Sequence, residues 1–534
     1  MADGHELVEG VEGVSSVEPT GAAATGAAVR RSQQAGSLGL GQDGGELGGS
    51  VPKLETGITG FDDLTMGGLP IRRATVLAGQ AGSAKTVFAG QFLAEGIRRG
   101  QPGVFVTLEE PATDLRANFT TLGMDVAGWE AAGDWRFVDA SPAVREGEDG
   151  APVLAAFSTD TLLAQIGHAV DATGADRLVL DSLNGMLSLQ TDPTLARQLL
   201  RRLIARLRAM GLTVVLTVET PGEPGGALSS YGVEEFVADN VVLLHHVRDG
   251  FLRRRAVEVL KMRGAMHHKG EVAFTVLPGR GVVVLPLARR PVAERAAPVR
   301  VTAGDDELDG MLDGGLLSRS SVLLSGPTGT GKSTLAIQLL AAGGHAGERG
   351  LLLAFEESHD QVLRNAASTG ADLAALERSG LLHVQATYPD VASLDDHLVQ
   401  IQELVERYRP ARVVVDSLSA LERLGSLDSY RQFVTRLSSF LREQDAVAVF
   451  TAASASLMGG SGVSDSHVSA LVDAVLLLRY VEERGQVRRA LTVLKQRGSS
   501  HDMRIREFTI TRAGFVVGEP MTGLGGILTG TRHA

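Results

Sequence analysis

The sequence predicts two tandem α/β domains, each a mostly parallel β-sheet with helices on both faces. Three observations predict it. From Val51 onward, short apolar segments alternate with segments of helical periodicity, the pattern of a parallel sheet covered by helices. Two of the strand–helix junctions are Gly-rich loops ending in Lys-Thr or Lys-Ser. The chain also repeats itself: Gly79 and Gly326 lie 247 positions apart, as do Lys85 and Lys332, and the pairs Glu109-Glu110 and Glu356-Glu357. Later landmarks keep nearly the same offset, 235 for Asp181-Ser182 and Asp416-Ser417, and 234 for Lys261-x-Arg263-Gly264 and Lys495-x-Arg497-Gly498. One structural unit thus occurs twice.

These landmarks divide the chain. Residues 1–50 are rich in Gly, Ala, Ser and Glu, with few large apolar side chains to offset ordering entropy, and are expected to form a disordered tail. The first domain is expected over 51–290 and the second over 291–518, joined near the Pro/Ala/Arg stretch Leu287–Arg300. Residues 519–534 form a short C-terminal tail.

Composition limits the function. A net charge of −12 argues against a generic nucleic-acid or membrane-surface binder. Aromatic residues are scarce at 4%, which leaves few platforms for stacking bases. No cysteine is present, so disulfides and thiolate metal sites are excluded, in keeping with a cytoplasmic protein. The N-terminus lacks an apolar core for a signal peptide, and apolar runs such as that from Asp473 to Leu478 are too short to span a bilayer.

The chemistry begins at Gly326-x-x-x-x-Gly331-Lys332-Ser333, a complete P-loop between an apolar strand and a helix. Its backbone N–H groups and the helix N-terminus suit phosphate, Lys332 suits the β/γ-phosphates, and the Ser333 hydroxyl suits Mg²⁺. The predicted nucleotide-binding residues here are Gly326, Thr328, Gly329, Thr330, Gly331, Lys332, Ser333 and Thr334. In the first copy they are Gly79, Gly82, Ser83, Ala84, Lys85 and Thr86, with Thr86 in the Mg²⁺ position. Ala84 stands where the pattern has its last Gly, and a helical conformation at the helix start is expected to accommodate it.

Asp181-Ser182 and Asp416-Ser417 follow apolar runs and read as Walker B ends, each Asp facing Mg²⁺ through water. A helix N-cap is the alternative for such an Asp. Glu109, Glu110, Glu356 and Glu357 suit general-base work on a water or hydroxyl, with Glu356 also near the metal; acidic first-turn residues are the alternative. Only six lysines occur, at 53, 85, 261, 269, 332 and 495, and four of them fall at two repeat-equivalent places. Lys261 with Arg263 and Lys495 with Arg497 are read as cations completing a neighbouring subunit's site, or else as ordinary strand-end residues.

The order P-loop, Glu-Glu, Asp-Ser, YGVEEFVADNV (Tyr231–Val241), LKMRG (Leu260–Gly264), then a second copy with FEES (Phe355–Ser358), SDSHVSALVDAVLLLRYVE (Ser464–Glu482) and LKQRGSSHD (Leu494–Asp502), resembles the KaiC family. That resemblance implies two RecA-like P-loop domains, ATP and Mg²⁺, and a homohexamer of two stacked rings with nucleotide between protomers. It implies that Glu109 and Glu110 serve hydrolysis in the first ring, and that Glu356, with Glu357 beside it, serves a serine autokinase and autophosphatase in the second. Ser469 then matches the phosphorylated serine and Ser464 a neighbouring hydroxyl. Ala470 replaces the family's adjacent threonine, so an ordered two-site cycle lacks one hydroxyl. Glu235 aligns with Ser469 in the first copy, where no phosphorylation is expected. The short C-terminal segment speaks against a KaiA-like activator, whereas a KaiB-like partner on the first domain is compatible with the resemblance. Two other readings share the fold: a RecA/DnaB-like ATPase acting on DNA, and a signalling scaffold that ATP assembles.

Overall fold

The computed structural model describes residues 51–140, 144–146, 152–154, 158–187, 192–220, 237–250, 252–285, 299–454, 468–483 and 485–522. The tail, most of the predicted linker, Tyr231–Phe236, Ser464 and residues beyond 522 lie outside them.

Two nine-stranded sheets carry the fold. The first comprises β1 (Ala74–Gly79), β2 (Gly103–Thr107), β3 (Trp135–Asp139), β4 (Arg177–Asp181), β5 (Thr213–Glu219), β6 (Asn240–Asp249), β7 (Leu252–Met262), β8 (Val272–Leu277) and β9 (Gly281–Val284). The second comprises β10 (Ser321–Gly326), β11 (Gly350–Ala354), β12 (Leu382–Ala386), β13 (Arg412–Asp416), β14 (Val447–Ala453), β15 (Ala474–Glu483), β16 (Gln486–Gln496), β17 (Arg506–Thr511) and β18 (Gly514–Pro520). Across the first sheet the order is 9-8-7-6-1-5-4-2-3; the second gives the same order with nine added to each number. Six strands in each are parallel, and the last three form an antiparallel meander. The repeat read from spacing is therefore a repeat of topology.

The inner strands β1, β2, β10 and β11 are buried along their whole length, as strands covered on both faces must be, whereas the edge strands β3 and β12 are buried only in part. Apolar side chains pack on each face of each sheet. One of these cores joins the repeats: Ala273, Val283 and Leu285 of the first pack with Leu394, Leu398 and Val399 of the second. Beside them the Arg254 guanidinium donates to Asp395 Oδ2 at 2.9 Å and to Ser429 Oγ at 3.0 Å. No helix among the described residues is long and apolar enough to cross a membrane.

Two buried arginines that the sequence analysis passed over tie each sheet to its surroundings. Arg177 donates through Nη1 to the carbonyls of Glu55 (2.9 Å) and Phe92 (2.7 Å), and through Nε to Gln101 Oε1 (3.0 Å). Arg412 repeats the pattern with Thr302 O (2.8 Å), Leu339 O (2.7 Å) and Glu348 Oε2 (2.6 Å). Burial pushes the Arg177 guanidinium down to about 10. A methyl group on Gly96 would lie 2.5 Å from Arg177 Cδ, and one on Gly343 2.5 Å from Arg412 Nε.

Candidate nucleotide sites

In each sheet the central strand ends in a P-loop that opens into a 14-residue helix, α1 (Lys85–Arg98) after β1 and α2 (Lys332–His345) after β10. The chain folds this way because the strand run is mostly apolar and fully buried, and the next good helix formers come only after the glycines. The P-loop lysines lie over their own loops. Lys85 Nζ donates to Gly79 O (2.8 Å) and Gln80 O (2.9 Å), and Lys332 Nζ to Gly326 O (2.8 Å) and Pro327 O (2.9 Å). Burial lowers both lysine pKa values, while the carboxylates of Glu219, Asp181 and Glu109 oppose the shift at Lys85, and those of Asp416 and Glu356 at Lys332.

At the loop's last glycine position the backbone is left-handed in both copies, φ 107° at Gly331 and φ 70° at Ala84. The expected helical conformation of Ala84 is therefore wrong. The loop needs positive φ there whichever residue occupies it, and alanine bears a cost of about 1–2 kcal/mol. The space beside that position differs between the copies. A Cβ on Gly331 would sit 2.5 Å from Ile510 Cδ1, whereas the repeat-equivalent residue in the first copy is Val276, which has no δ-carbon. Ala84→Gly is expected to stabilise the first repeat by up to about 1 kcal/mol, after the entropy of the added glycine is subtracted. Gly331→Ala is expected to destabilise the second by more. Thermal unfolding of the two variants compares them directly; an Ala84→Gly variant that melts lower would reject this account.

The strand ends bring the acidic residues to the loops. Ala81, Gly82, Lys85, Thr86, Glu109, Glu110, Asp181, Ser182 and Glu219 line one cavity of about 210 Å³. In the second repeat Ser333, Glu356, Glu357 and Asp416 share a tighter cavity of about 30 Å³. Partners match across the repeats. Ser182 Oγ donates to Glu109 Oε1 (2.7 Å) and Ser417 Oγ to Glu356 Oε1 (3.0 Å), while Thr217 donates to Asp181 and Thr451 to Asp416. Both Asp-Ser peptides are cis. Hydrogen-bonded hydroxyls thus fix the first Glu of each pair and the strand-end Asp.

The second Glu of each pair differs. Glu357 accepts both its hydrogen bonds from Asn365 Nδ2, at 3.1 Å to each oxygen. Burial first, then the neighbouring Asp181, Asp114 and Glu109 carboxylates, raise the pKa of Glu110. Sequence reasoning missed Glu219, Thr217 and Thr451. Glu219 closes the first β5 strand and faces Lys85, but its repeat-equivalent is Ala453. A polar residue at the end of an otherwise apolar strand was the available signal.

The residues fit a Mg²⁺–nucleotide complex: a hydroxyl (Thr86 or Ser333) in the first helical turn shares a cavity with an Asp held by a threonine, near a half-buried lysine. The K-x-R-G residues are not brought to their own loops. Lys261 pairs across the sheet with Val241, which is level with Val76, while Leu244 is level with Gly79. Lys261 thus lies toward the opposite end of the sheet from its P-loop, and Lys495 is placed alike, level with Val475 and Leu323. Lys261 Nζ donates to Ala238 O (2.9 Å); Lys495 Nζ donates to Ser469 O (2.9 Å) and Val472 O (2.5 Å), and Arg497 to Ala470 O (3.1 Å). Ser469 is half-buried there.

Comparison with known proteins agrees with this geometry. The family model described as "ATPase: KaiC" matches residues 54–289 and again 301–522. The circadian clock protein KaiC3 of Synechocystis sp. is 46% identical over 481 residues, covering 90% of this chain and 94% of that protein. The circadian clock oscillator protein KaiC of Parathermosynechococcus lividus is 41% identical over 483 residues, covering 90% of this chain and 88% of that one. With two matched P-loop repeats and relatives spanning nearly its whole length, this chain belongs to the KaiC family of ATPases.

Proposed function

We propose that the protein is a two-ring ATP-driven timer or switch of circadian or related signalling, hydrolysing ATP in its first repeat and phosphorylating and dephosphorylating Ser469 in its second. One observation carries the kinase reading: Lys495 and Arg497 hold the backbone of Ser469 and Ala470 toward the far end of the sheet from that repeat's own P-loop. The strand between them, β10, spans roughly 17 Å at about 3.3 Å per residue. Ser469 and the two cations then work on the nucleotide of a neighbouring protomer, which calls for a ring of identical chains, a homohexamer by family resemblance.

In that arrangement the Ser469 hydroxyl attacks the γ-phosphorus as Glu356 takes its proton, the bond to the β,γ-bridging oxygen breaks, and ADP leaves. Lys332, together with Lys495 and Arg497 of the adjoining chain, balances charge on the transferred group. Ser333 and Asp416 would hold Mg²⁺, which would supply further charge neutralisation at the phosphates. In the first repeat the Glu109–Glu110 pair activates water instead, with Lys261 and Arg263 supplied across the interface. Ser464 is a secondary acceptor in this scheme. A KaiB-like partner on the first repeat and a cytoplasmic location accompany it.

The test is intact-mass and peptide analysis of the full chain incubated with ATP and Mg²⁺, beside Ser469→Ala and Glu356→Gln. A time-dependent phosphate on Ser469, absent from both variants, is expected. Hydrolysis without any phosphate would leave an ATP-assembled scaffold or switch, and salt-dependent binding of DNA would favour the motor reading.

A further inference from the structure

Away from both nucleotide sites, one cluster of metal-ligating side chains sits on the antiparallel part of the first sheet. His245 lies on β6, Glu258 on β7, and Glu271 directly before β8. The register sets them together. Glu258 faces Leu243 across the strands, Val257 faces Val272 so that Glu271 falls beside Glu258, and His245 is two residues beyond Leu243 on the same face. His245 Nε2 lies 3.4 Å from Glu258 Oε2 and 3.9 Å from Glu271 Oε1, and all three ligand atoms fall within 4.8 Å of one another.

These separations are longer than ordinary hydrogen bonds, which cluster at about 2.7–3.2 Å. They also ask one ring nitrogen to serve two carboxylates. The 3.4 Å between His245 Nε2 and Glu258 Oε2 matches two ligands of a shared cation, because bonds of about 2.1 Å at tetrahedral angles leave ligand atoms about 3.4 Å apart; the more exposed Glu271 has to swing inward to join them. The two carboxylates balance a divalent charge, and the imidazole favours a borderline transition metal over Mg²⁺. With Glu271 more than half exposed, the site is open to a metal from solvent. The cluster is not part of the repeated ATPase machinery, because the second copy has Arg479, Thr492 and Ile505 at the equivalent positions.

We propose that His245, Glu258 and Glu271 bind one divalent transition-metal ion, of the Zn²⁺ class, that staples β6, β7 and the start of β8 in the first repeat. The test is a Zn²⁺ titration by calorimetry of the chelator-stripped full-length protein in saturating Mg²⁺–ATP, which occupies the nucleotide sites. One Zn²⁺ per chain is expected, with a higher melting temperature on binding. His245→Arg, which places there the residue of the second repeat, keeps a cation between the carboxylates and is expected to abolish the site. Glu258→Gln and Glu271→Gln are each expected to weaken it at least tenfold, with unchanged circular dichroism and ATP hydrolysis. Co²⁺ in place of Zn²⁺ gives an independent readout, a tetrahedral visible absorption lost in His245→Arg. No saturable Zn²⁺ binding by the wild-type chain, or binding unchanged in His245→Arg, would overturn the proposal.

Discussion

Replacing Glu109 and Glu110 together by glutamine is expected to lower ATP hydrolysis by the first repeat about 10²–10⁴-fold, the usual contribution of a general base. The amides keep the shape and can still accept from the Ser182 hydroxyl, so the cavity is preserved while its proton acceptors are lost. The measurement belongs in a Glu356→Gln background, where the second repeat contributes least, and nucleotide affinity is recorded beside the rate. Unchanged affinity with a collapsed rate assigns the pair to chemistry. A loss under tenfold would remove them from it.

The single variants divide the role. Glu110 has a pKa raised above the ordinary 4.5 by burial and by Asp181, Asp114 and Glu109. A base must be deprotonated to act, so if Glu110 is the base the rate falls as pH drops through that raised value. Asp114→Asn removes one source of the shift and is expected to move the acid limb of the profile downward. A limb unmoved by Asp114→Asn but abolished with Glu109→Gln assigns the proton to Glu109.

Arg177→Met and Arg412→Met are each expected to cost about 2–4 kcal/mol in the repeat that carries them, because each guanidinium serves three acceptor groups at once. Each change strips the guanidinium donor from one buried carbonyl, Phe92 or Leu339, and from one part-buried carbonyl, Glu55 or Thr302, and a buried acceptor that loses its donor costs about 1–3 kcal/mol. The side chains of Gln101 and Glu348 lose their donors as well. Lysine is no rescue, because one ammonium cannot present the guanidinium's fixed fork to three acceptors. Chemical denaturation followed by Trp135, buried in the first repeat's core, reports Arg177; the second repeat contains no tryptophan and is followed by hydrogen exchange along β13. A cost below about 1 kcal/mol would mean that water replaces the lost donors.

How much was legible in the sequence varies with how local the cause is. Both P-loops, the Glu pairs and the Asp-Ser strand ends could be read directly, because each is a short motif whose spacing is dictated by the ligand it holds. The Ser182–Glu109 and Ser417–Glu356 hydrogen bonds could not: the partners are 73 and 61 residues apart, and only adjacent strand ends make them neighbours. Ala84 illustrates a different limit. Its identity was plain, but its backbone angle is imposed by the loop, and the space beside it differs from that in the second copy.

By itself the sequence determined the duplicated α/β architecture, the P-loop at each centre and the identity of the carboxylates, since hydrophobic period and motif spacing are properties of the chain alone. Only the tertiary structure decided which residues share a pocket and which face away from it. It put Lys261 and Lys495 toward the ends of the sheets opposite their own P-loops, because antiparallel return strands run back from the nucleotide end. It gathered His245, Glu258 and Glu271 from three strands, because the register of a sheet, and not distance along the chain, sets which side chains meet.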